Sequence, residues 1–358
     1  MKQVGWMTVL PMLGLSLGLS LGPGLAGSAE AQRGPARQEW IDTHFHLIAD
    51  RNADEAFEAA AQEALKIMDA DGLRTAIIMS PPRPRENFDV ESIAGVVRKH
   101  SPRMVMMGGG GSLNPMLQAA GTMPVVSEAY TEQFRQTAEA ILAQGARGFG
   151  EITAHHLSLT PSHGYEWVPP DHPLLLLLAD IAASHQVPID LHFDPVPEDV
   201  NTPSFLNSPQ NPAVLKANLP GFERLLAHNR KATFVWAHAG SDPLGYFTPA
   251  LVRAMLGRHA NLMLSVRPVN PRPGSLLTPK GPADPDWMAL LRDFSERFVL
   301  GTDTFVVADS YSGVDAPRVL AQRSAIQRQG VRRLLSRVPP DVARRIAIDN
   351  AERIYWLR

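Results

Sequence analysis

The stretch W-I-D-T-H-F-H-L, residues 40–47, ends a short apolar run with two histidines that lie two positions apart. Alternate residues of a β-strand project from the same face, so a strand here would hold His44 and His46 side by side. Two imidazoles on one face form a chelate for a divalent metal. An H-x-H pair is common by chance, and its meaning therefore depends on what the rest of the chain adds to it.

The bulk composition is that of an ordinary globular protein and excludes several functional classes. The 358 residues are 44% hydrophobic and 20% charged, with a net charge of −2. No basic excess is present to bind nucleic acid, so we expect a small-molecule substrate and no nucleic-acid partner. Cysteine is absent, which excludes disulfides and cysteine-ligated zinc and leaves His, Asp and Glu as metal ligands. The composition leaves open whether the chain forms a homo-oligomer.

Residues 1–31 are predicted to be a secretory signal peptide that is removed from the mature protein. A short positive segment at Lys2 precedes an apolar, Gly/Ser-rich run, and the small residues of A-E-A at 29–31 form a cleavage site. A single membrane anchor is the alternative, which the G-P-G sequence at 22–24 disfavours. We therefore predict a periplasmic or secreted protein without a stable membrane anchor, with one domain at residues 38–358.

Short apolar runs alternate with amphipathic segments along the rest of the chain. The runs are mostly apolar on both faces and rich in β-branched residues, which is typical of buried parallel strands. We predict strands in residues 40–44, 75–80, 104–109, 146–152, 187–192, 233–238, 261–266 and 297–303. We predict helices in residues 54–71, 90–100, 128–144, 173–186, 220–230, 248–258, 286–297, 314–336 and 341–356.

This alternation predicts βαβ units and a parallel sheet. Eight such units in one domain indicate an α/β fold of the (β/α)8 TIM-barrel type, with a doubly wound open sheet as the alternative. In a barrel, catalytic groups lie at the carboxyl ends of the strands, where the loops between strand and helix form the active face. Polar residues at the ends of the predicted strands are therefore candidates for a site.

Residue types that bind metals stand at the ends of five predicted strands. They are His44, His46, Glu151, His192, His238 and Asp303. Core packing alone does not account for all six. Four other histidines end predicted helices and suit a capping role near a helix carboxyl terminus: His100, His185, His228 and His259.

The motifs around the strand ends resemble those of a known superfamily. W-I-D-T-H-F-H-L, G-F-G-E-I, D-L-H, W-A-H-A-G, L-G-T-D and D-N-A-E-R-I-Y are similar to motifs of the metal-dependent amidohydrolase superfamily, in its amidohydrolase-related TIM-barrel branch. The similarity spans residues 40–357, nearly all of the predicted domain. These motifs are specific for the superfamily but do not identify a substrate.

The resemblance implies a set of metal ligands. A first metal would be bound by His44, His46, His192 and Asp303. His238 would bind a second metal or act as an acid or base. Many members carry a carbamylated lysine on the fourth strand, whereas no lysine of this chain ends a predicted strand and Glu151 occupies that place. Glu151 would be a further ligand able to bridge two metals, so the resemblance leaves open whether the site holds one ion or two.

The same resemblance implies a hydrolase that uses a metal-activated water on an amide, ester or lactone bond of a small molecule. Histidine and carboxylate ligands suit a divalent metal, zinc first, with manganese or iron as alternatives. Asp303 would take a proton from the water, and His238 would stabilise an oxyanion or assist proton transfer. A non-oxidative decarboxylase of a small carboxylic acid is the alternative, which Glu151 disfavours. A non-catalytic binding protein is a further alternative, which the intact ligand set disfavours.

Substrate-binding residues are predicted from the loops around the barrel mouth. Arg267 follows the seventh strand, where it would pair with a substrate carboxylate or else form a surface ion pair. Four further candidates lie in the long segment after the fourth strand: His155, His156, Tyr165 and Trp167. They would line a substrate wall, or else pack within the loop or face solvent. The run G-G-G-G at 108–111 would let the backbone approach the site closely.

Overall fold

The chain is described by a computed structural model in residues 38–49, 54–82, 89–160, 164–241, 243–272, 274–308 and 317–357. The signal peptide predicted for residues 1–31 lies outside the described residues. Within the ranges above, the structure contains no helix that is both long enough and apolar enough to cross a bilayer.

Every predicted strand position is occupied by a strand. The strands are β1 (Trp40–Ile48), β2 (Leu73–Ile78), β3 (Met104–Met106), β4 (Gly108–Gly109), β5 (Phe149–His156), β6 (Glu166–Trp167), β7 (Pro188–Phe193), β8 (Val200–Asn201), β9 (Val214–Leu215), β10 (Thr233–Ala239), β11 (Leu262–Val266), β12 (Phe298–Leu300) and β13 (Thr304–Val307). The third predicted strand is divided into β3 and β4. The two-residue strands β6, β8 and β9 are not predicted from the sequence, because segments this short carry no periodicity.

The main strands pair in parallel and in sequence order. One sheet has the order β13-β1-β2-β3, and the other has the path β12-β11-β10-β7-β5-β4. Only Met107 separates β3 from β4, and residues 301–303 separate β12 from β13. The Asp42 carboxylate of β1 accepts a hydrogen bond from the Thr302 amide at 2.9 Å, across 260 positions of sequence. This order lacks the reversal of a doubly wound sheet and agrees with an α/β fold of the TIM-barrel type.

The helices lie between the strands, as the sequence pattern predicts. They are α1 (Asp54–Asp71), α2 (Val90–Lys99), α3 (Leu113–Ala120), α4 (Glu128–Ala143), α5 (Pro173–His185), α6 (Leu219–His228), α7 (Pro249–Arg258), α8 (Pro285–Asp293), α9 (Pro317–Leu335), α10 (Pro340–Arg344) and α11 (Asn350–Tyr355). Helix α3 was not predicted, because it is short and follows a glycine run. The final helix predicted at 341–356 is interrupted by a π-helical turn at Arg345–Asp349.

Prolines and side-chain caps set where several helices begin. Pro173 and Pro249 occupy the first turns of α5 and α7, where the missing amide hydrogen removes no helical hydrogen bond. Before α8, the Asp284 carboxylate accepts hydrogen bonds from the Asp286 and Trp287 amides at 3.0 and 3.1 Å. These local signals explain why the predicted starts of the three helices agree with the structure to within one residue.

The core beneath the site is built from aromatic side chains on neighbouring strands. Trp236 of β10 is fully buried, and its indole stacks on Phe247 with ring centroids 4.0 Å apart. Its indole nitrogen donates a hydrogen bond to the Phe193 carbonyl of β7 at 2.8 Å. This packing fixes β7 and β10, which each carry one of the candidate histidines.

The glycine run after β3 brings two backbone segments together, as the sequence predicts. A Cβ atom on Gly110 would lie 2.0 Å from the Ser80 carbonyl oxygen and 3.3 Å from the Glu151 amide nitrogen. The Glu151 amide itself donates a hydrogen bond to the Ser80 carbonyl at 3.4 Å. Only a residue without a side chain fits between Ser80 and Glu151. The absence of a Cβ on Gly110 therefore lets the backbone of Glu151 come close to that of Ser80.

Replacing Gly110 tests this close approach. Gly110→Ala should lower the free energy of unfolding by about 1–3 kcal/mol, because the new methyl group overlaps backbone that cannot easily move. Gly95→Ala is the matched control, since Gly95 lies in α2 and a Cβ there meets nothing within 4 Å. The free energy of unfolding of the control should rise by about 0.5–1 kcal/mol, because alanine has a higher helix propensity than glycine. Chemical denaturation of both proteins measures the difference, and wild-type stability in Gly110→Ala would contradict the close contact.

Candidate metal centre

His44 and His46 lie together on β1, as the strand periodicity predicts. Both are fully buried, and their ring centroids are 5.0 Å apart. The structure corrects one detail, because β1 continues to Ile48 and the two histidines lie within the strand rather than at its end. Parallel pairing of Phe45 with Thr304 of β13 extends β1 past them.

The carboxylate of Glu151 lies between imidazoles from three strands. Its Oε2 atom is 3.4 Å from His44 Nε2 and 3.7 Å from His46 Nε2. Its Oε1 atom is 2.7 Å from His192 Nδ1 and 3.3 Å from His238 Nε2. Each oxygen of one buried carboxylate therefore faces two histidines, which is the arrangement expected of a bridging group.

Helix α3, which the sequence did not predict, holds the backbone of β5 at Glu151 and Thr153. The Asn114 side-chain amide donates a hydrogen bond to the Glu151 carbonyl at 2.6 Å. The side-chain oxygen of the same residue accepts a hydrogen bond from the Thr153 amide at 2.8 Å. Asn114 is buried, so these two bonds fix the position of β5 at the centre of the site.

Asp303 and His238 adopt left-handed backbone conformations, with φ angles of 56° and 66°. Such conformations cost a residue with a side chain about 1–3 kcal/mol, and they are common at functional positions. The bend after β12 places Asp303 Oδ1 at 3.4 Å from His46 Nε2. The strain is thus associated with the geometry of the site.

The predicted ligands meet in two groups that share His44. The first group is His44, His46 and Asp303, and the second is His44, Glu151 and His238. Within each group the ligand atoms all lie within 4.8 Å of one another. His192 adjoins the second group, since its Nδ1 atom is 3.1 Å from His238 Nε2. The structure therefore brings all six predicted ligands to one place.

The ring nitrogens that face away from this centre have polar partners. His46 Nδ1 donates a hydrogen bond to the Met79 carbonyl at 2.9 Å, which directs Nε2 toward the centre. His44 Nδ1 is 3.1 Å from Asp190 Oδ1. The inward-facing Nε2 atoms of His44 and His46 are buried and accept no hydrogen bond among the described residues. Orphaned imidazole nitrogens beside carboxylates fit the ligand set of a divalent metal such as zinc.

The carboxylates of the site change the pKa values of two histidines. Burial lowers the pKa of His44, but the charges of Asp190 and Glu151 outweigh burial and hold that pKa well above its usual value. Burial also lowers the pKa of His192, and Asp194 and Glu151 outweigh it, raising that pKa to about 10. Both rings are therefore in the charged form, with a hydrogen on each nitrogen, at neutral pH when no metal is bound.

Three other groups of the site, those of His238, Glu151 and Asp303, have pKa values below their usual ones. Burial lowers the pKa of His238 below its usual value, and its contact with Glu151 offsets this only in part. Burial alone would raise the pKa of Glu151, but His44 and the other imidazoles hold it well below its usual range. Contacts with His46 and Arg267 likewise outweigh burial and depress the pKa of Asp303. The two carboxylates are therefore ionised at neutral pH.

Arg267 forms a largely buried ion pair rather than the predicted surface pair, and its pairing with a substrate carboxylate remains a prediction. Its Nε atom is 3.2 Å from Asp303 Oδ2, and its Nη1 atom donates a hydrogen bond to Ser241 Oγ at 3.0 Å. The side chain is 17% exposed, so the ion pair is largely buried rather than on the surface. The guanidinium group holds the candidate base, and a substrate carboxylate would have to compete with Asp303 for it.

A cleft opens over the ligand atoms and encloses about 1050 Å³ of non-protein space, part of it continuous with solvent. Apolar residues line one part of it: Pro81, Pro82, Leu157, Leu159, Phe305 and Leu320. The polar part includes four of the candidate ligands, Glu151, His192, His238 and Asp303, together with Asp194, Ser241, Arg267 and Arg323. Such a mixed cleft suits a small molecule with an apolar body and a polar reacting group.

The residues predicted to form a substrate wall divide into two sets. His156 lines the cleft, and its ring centroid is 4.0 Å from that of His192. His155 is fully buried, and the rings of Tyr165 and Trp167 pack edge-on against it at 5.7 and 5.3 Å. Tyr165 and Trp167 thus pack against His155, which is the packing alternative predicted for them, because β5 extends to His156 and β6 pairs with its end.

Two site carboxylates were not predicted. Asp190 and Asp194 lie two residues before and after His192, and both are buried. Asp190 faces His44, and Asp194 Oδ2 is 3.7 Å from His192 Nε2. The motif D-L-H-F-D carries the signal that would have found them, since alternate residues of β7 share one face.

The four helix-end histidines lie outside the site, as predicted. Each is within 4 Å of a surface carboxylate: His100 of Glu58, His185 of Glu139, His228 of Asp180 and His259 of Glu223. These pairs connect neighbouring helices and have no contact with the cleft residues. They provide Asp–His and Glu–His pairs for comparison with those of the site.

Comparison with solved structures identifies the fold. An uncharacterised TIM-barrel protein of Bordetella bronchiseptica matches with a TM-score of 0.54 and 14% identity, covering 89% of this chain and 99% of that one. A mutant of the PTE-like lactonase of Deinococcus radiodurans matches with a TM-score of 0.55 and 14% identity, covering 88% and 95%. A structure named amidohydrolase II matches with a TM-score of 0.50 and 13% identity, covering 89% and 100%.

These likenesses show a shared TIM-barrel-type fold. No protein-family model matches the sequence. No curated protein matches it either. The chemistry of the site therefore has to be inferred from its own residues.

The raised pKa values predict that metal binding releases protons. Zinc binding to the metal-free protein at pH 7.5 should release between about one and two protons per chain, because His44 and His192 are protonated and must lose those protons to bind. Titration calorimetry in buffers of different ionisation enthalpy measures the number. Affinity should rise with pH, since the pKa of His192 is raised to about 10.

Asp194→Asn separates the contribution of His192. Without the Asp194 charge the pKa of His192 falls, and fewer protons should be released on binding. His228→Gln is the control, because His228 pairs with Asp180 at the surface and should not change the number. A heat of zinc binding that does not change with the ionisation enthalpy of the buffer would contradict the protonation of His44 and His192.

Proposed function

We propose that the protein is a metal-dependent hydrolase that acts on an amide, ester or lactone bond of a small molecule. The observation that carries the proposal is the position of the Glu151 carboxylate between four imidazoles, with Asp303 beside them. The named activities of the lactonase and the amidohydrolase with the same fold are consistent with this chemistry. Export to the periplasm or beyond remains a prediction from residues 1–31.

The residues form two adjacent metal positions. His44, His46 and Asp303 would hold one ion, and Glu151 and His238 would hold a second. His192, which the resemblance assigns to the first ion, would join the second instead, because it lies 2.7 Å from Glu151 and 3.1 Å from His238. Nitrogen and oxygen ligands favour zinc, with manganese or iron as alternatives. A divalent ion bound there supplies a Lewis acid that polarises a carbonyl group and lowers the pKa of water toward ~7.

Asp303 is the candidate general base. Its depressed pKa keeps the carboxylate ionised at neutral pH, so it can accept a proton from water in the cleft and pass it to the leaving group. Arg267 holds one carboxylate oxygen at 3.2 Å, which orients the other toward His46. His238 has a lowered pKa, so as a neutral ring it can donate to a developing oxyanion or bind a metal.

Metal content provides the first test of this proposal. Wild-type protein should hold about two ions per chain, and Glu151→Ala should hold one or none, because the group between the two positions is lost. Elemental mass spectrometry of the purified proteins measures both. One ion per chain that is unaffected by Glu151→Ala would favour the decarboxylase alternative. Wild-type protein without any metal would rule out both activities.

Turnover provides the second test. Asp303→Asn should lower kcat by ~10²–10⁴-fold, the usual contribution of a general base, while much of the metal stays bound. A panel of lactones, esters and amides serves as substrates, and release of carbon dioxide from small carboxylic acids is measured in parallel. Asp180→Asn is the matched control, because it makes the same change at a surface Asp–His pair. Activity above ~10% in Asp303→Asn would overturn its assignment.

A further inference from the structure

Asp190 is a buried carboxylate for which the proposed chemistry has no use. It lies on β7, two residues before His192, and is fully buried. Neither of its oxygens has a hydrogen-bond partner among the described residues, so its contact with His44 is an ion pair. A carboxylate in such a place is costly unless a cation faces it. Its close partner is His44, with Asp190 Oδ1 at 3.1 Å from Nδ1.

The His44 ring is held at both nitrogens by carboxylates. Asp190 faces Nδ1 at 3.1 Å, and Glu151 faces Nε2 at 3.4 Å. The Asp190 charge at 3.1 Å favours a hydrogen atom on Nδ1, so the proton that a metal replaces is the one on Nε2, which faces the centre of the site. Asp190 thus selects the tautomer of His44 that can bind a metal.

The other site histidines have weaker or different partners. His46 Nδ1 uses the Met79 carbonyl at 2.9 Å. His192 Nε2 is 3.7 Å from Asp194, and that pair is 11% exposed. His238 Nδ1 has no hydrogen-bond partner among the described residues. The His44 ring differs from these in that each of its nitrogens lies beside a carboxylate that is shielded from solvent.

We propose that Asp190 is a positioning residue that sets the metal affinity of the His44, His46 and Asp303 group through the tautomer of His44. This inference rests on the proposed function, because it assumes that the group binds a metal. A carboxylate behind a metal-binding imidazole raises its basicity and fixes its orientation, and loss of such a partner typically lowers affinity by about 10–100-fold. A residue kept only for packing would have no such effect on metal affinity.

Asp190→Asn tests the proposal. The asparagine amide can donate to Nδ1, which favours the tautomer with hydrogen on Nε2 and blocks that nitrogen for the metal. Zinc affinity, measured by competition with a chromophoric chelator, should fall by about 10–100-fold. The thermal midpoint of the metal-free protein should fall, since one partner of the buried ion pair with His44 has been removed, and zinc affinity is therefore the deciding measurement. Asp180→Asn, at the surface pair with His228, should bind zinc as wild type does.

A double-mutant cycle with His44 excludes an indirect effect. If Asp190 acts through His44, Asp190→Asn should not weaken zinc binding further in a His44→Ala protein. Wild-type affinity in Asp190→Asn together with a lower thermal midpoint of the metal-free protein would overturn the proposal and leave Asp190 a structural residue. Additive losses in the cycle would overturn it as well.

A measurement on the wild-type chain keeps the proposal testable if Asp190→Asn does not fold. Nitrogen-15 NMR of histidine-labelled, zinc-loaded protein distinguishes a ring bound through Nε2 from one bound through Nδ1. His44 should be bound through Nε2 with a hydrogen on Nδ1, and the reverse would overturn the proposal. A wild-type protein that binds no zinc would overturn the proposed function itself, whereas tight binding through His44 Nδ1 would overturn only the role of Asp190.

Discussion

The placement of one carboxylate, that of Glu151, between imidazoles from β1, β7 and β10 is the constraint on which the site depends. A buried, ionised carboxylate is costly unless cations or metals surround it. The fold meets this requirement by backbone rather than by side chains alone. Gly110 lets the backbone of Glu151 approach a neighbouring backbone segment. Asn114 of α3 holds the backbone of Glu151 and Thr153. Both features lie outside the ligand set, yet they decide where its centre lies.

The site balances its own charge in either of two ways. Without metal, protons on His44 and His192 offset the carboxylates of Asp190, Glu151 and Asp194. With metal, divalent ions take over that role and the protons leave. In both states the buried carboxylates are therefore in contact with positive charge.

The sequence predicted the repeating strands and helices, and it predicted all six ligands that the structure brings together. These predictions agree with the structure because strand periodicity and the position of polar residues at strand ends are local signals. Helix α3 and the partners of His44 could not be found in that way. The ion pair of Arg267 with Asp303 depends on how two loops meet in space. His155 packs against Tyr165 and Trp167 because strand β5 continues into a segment that has no evident pattern in the sequence.

The hydrogen bond between Asp42 and Thr302 joins the first and last strands across 260 positions of sequence. Because His44 and Asp303 stand beside that bond, the site is incomplete until the last strand has been synthesised and has docked against the first. Contacts this distant in sequence form late and slowly. A truncated or half-folded chain therefore lacks the first metal position, and a bound ion would report that the whole domain has been assembled correctly.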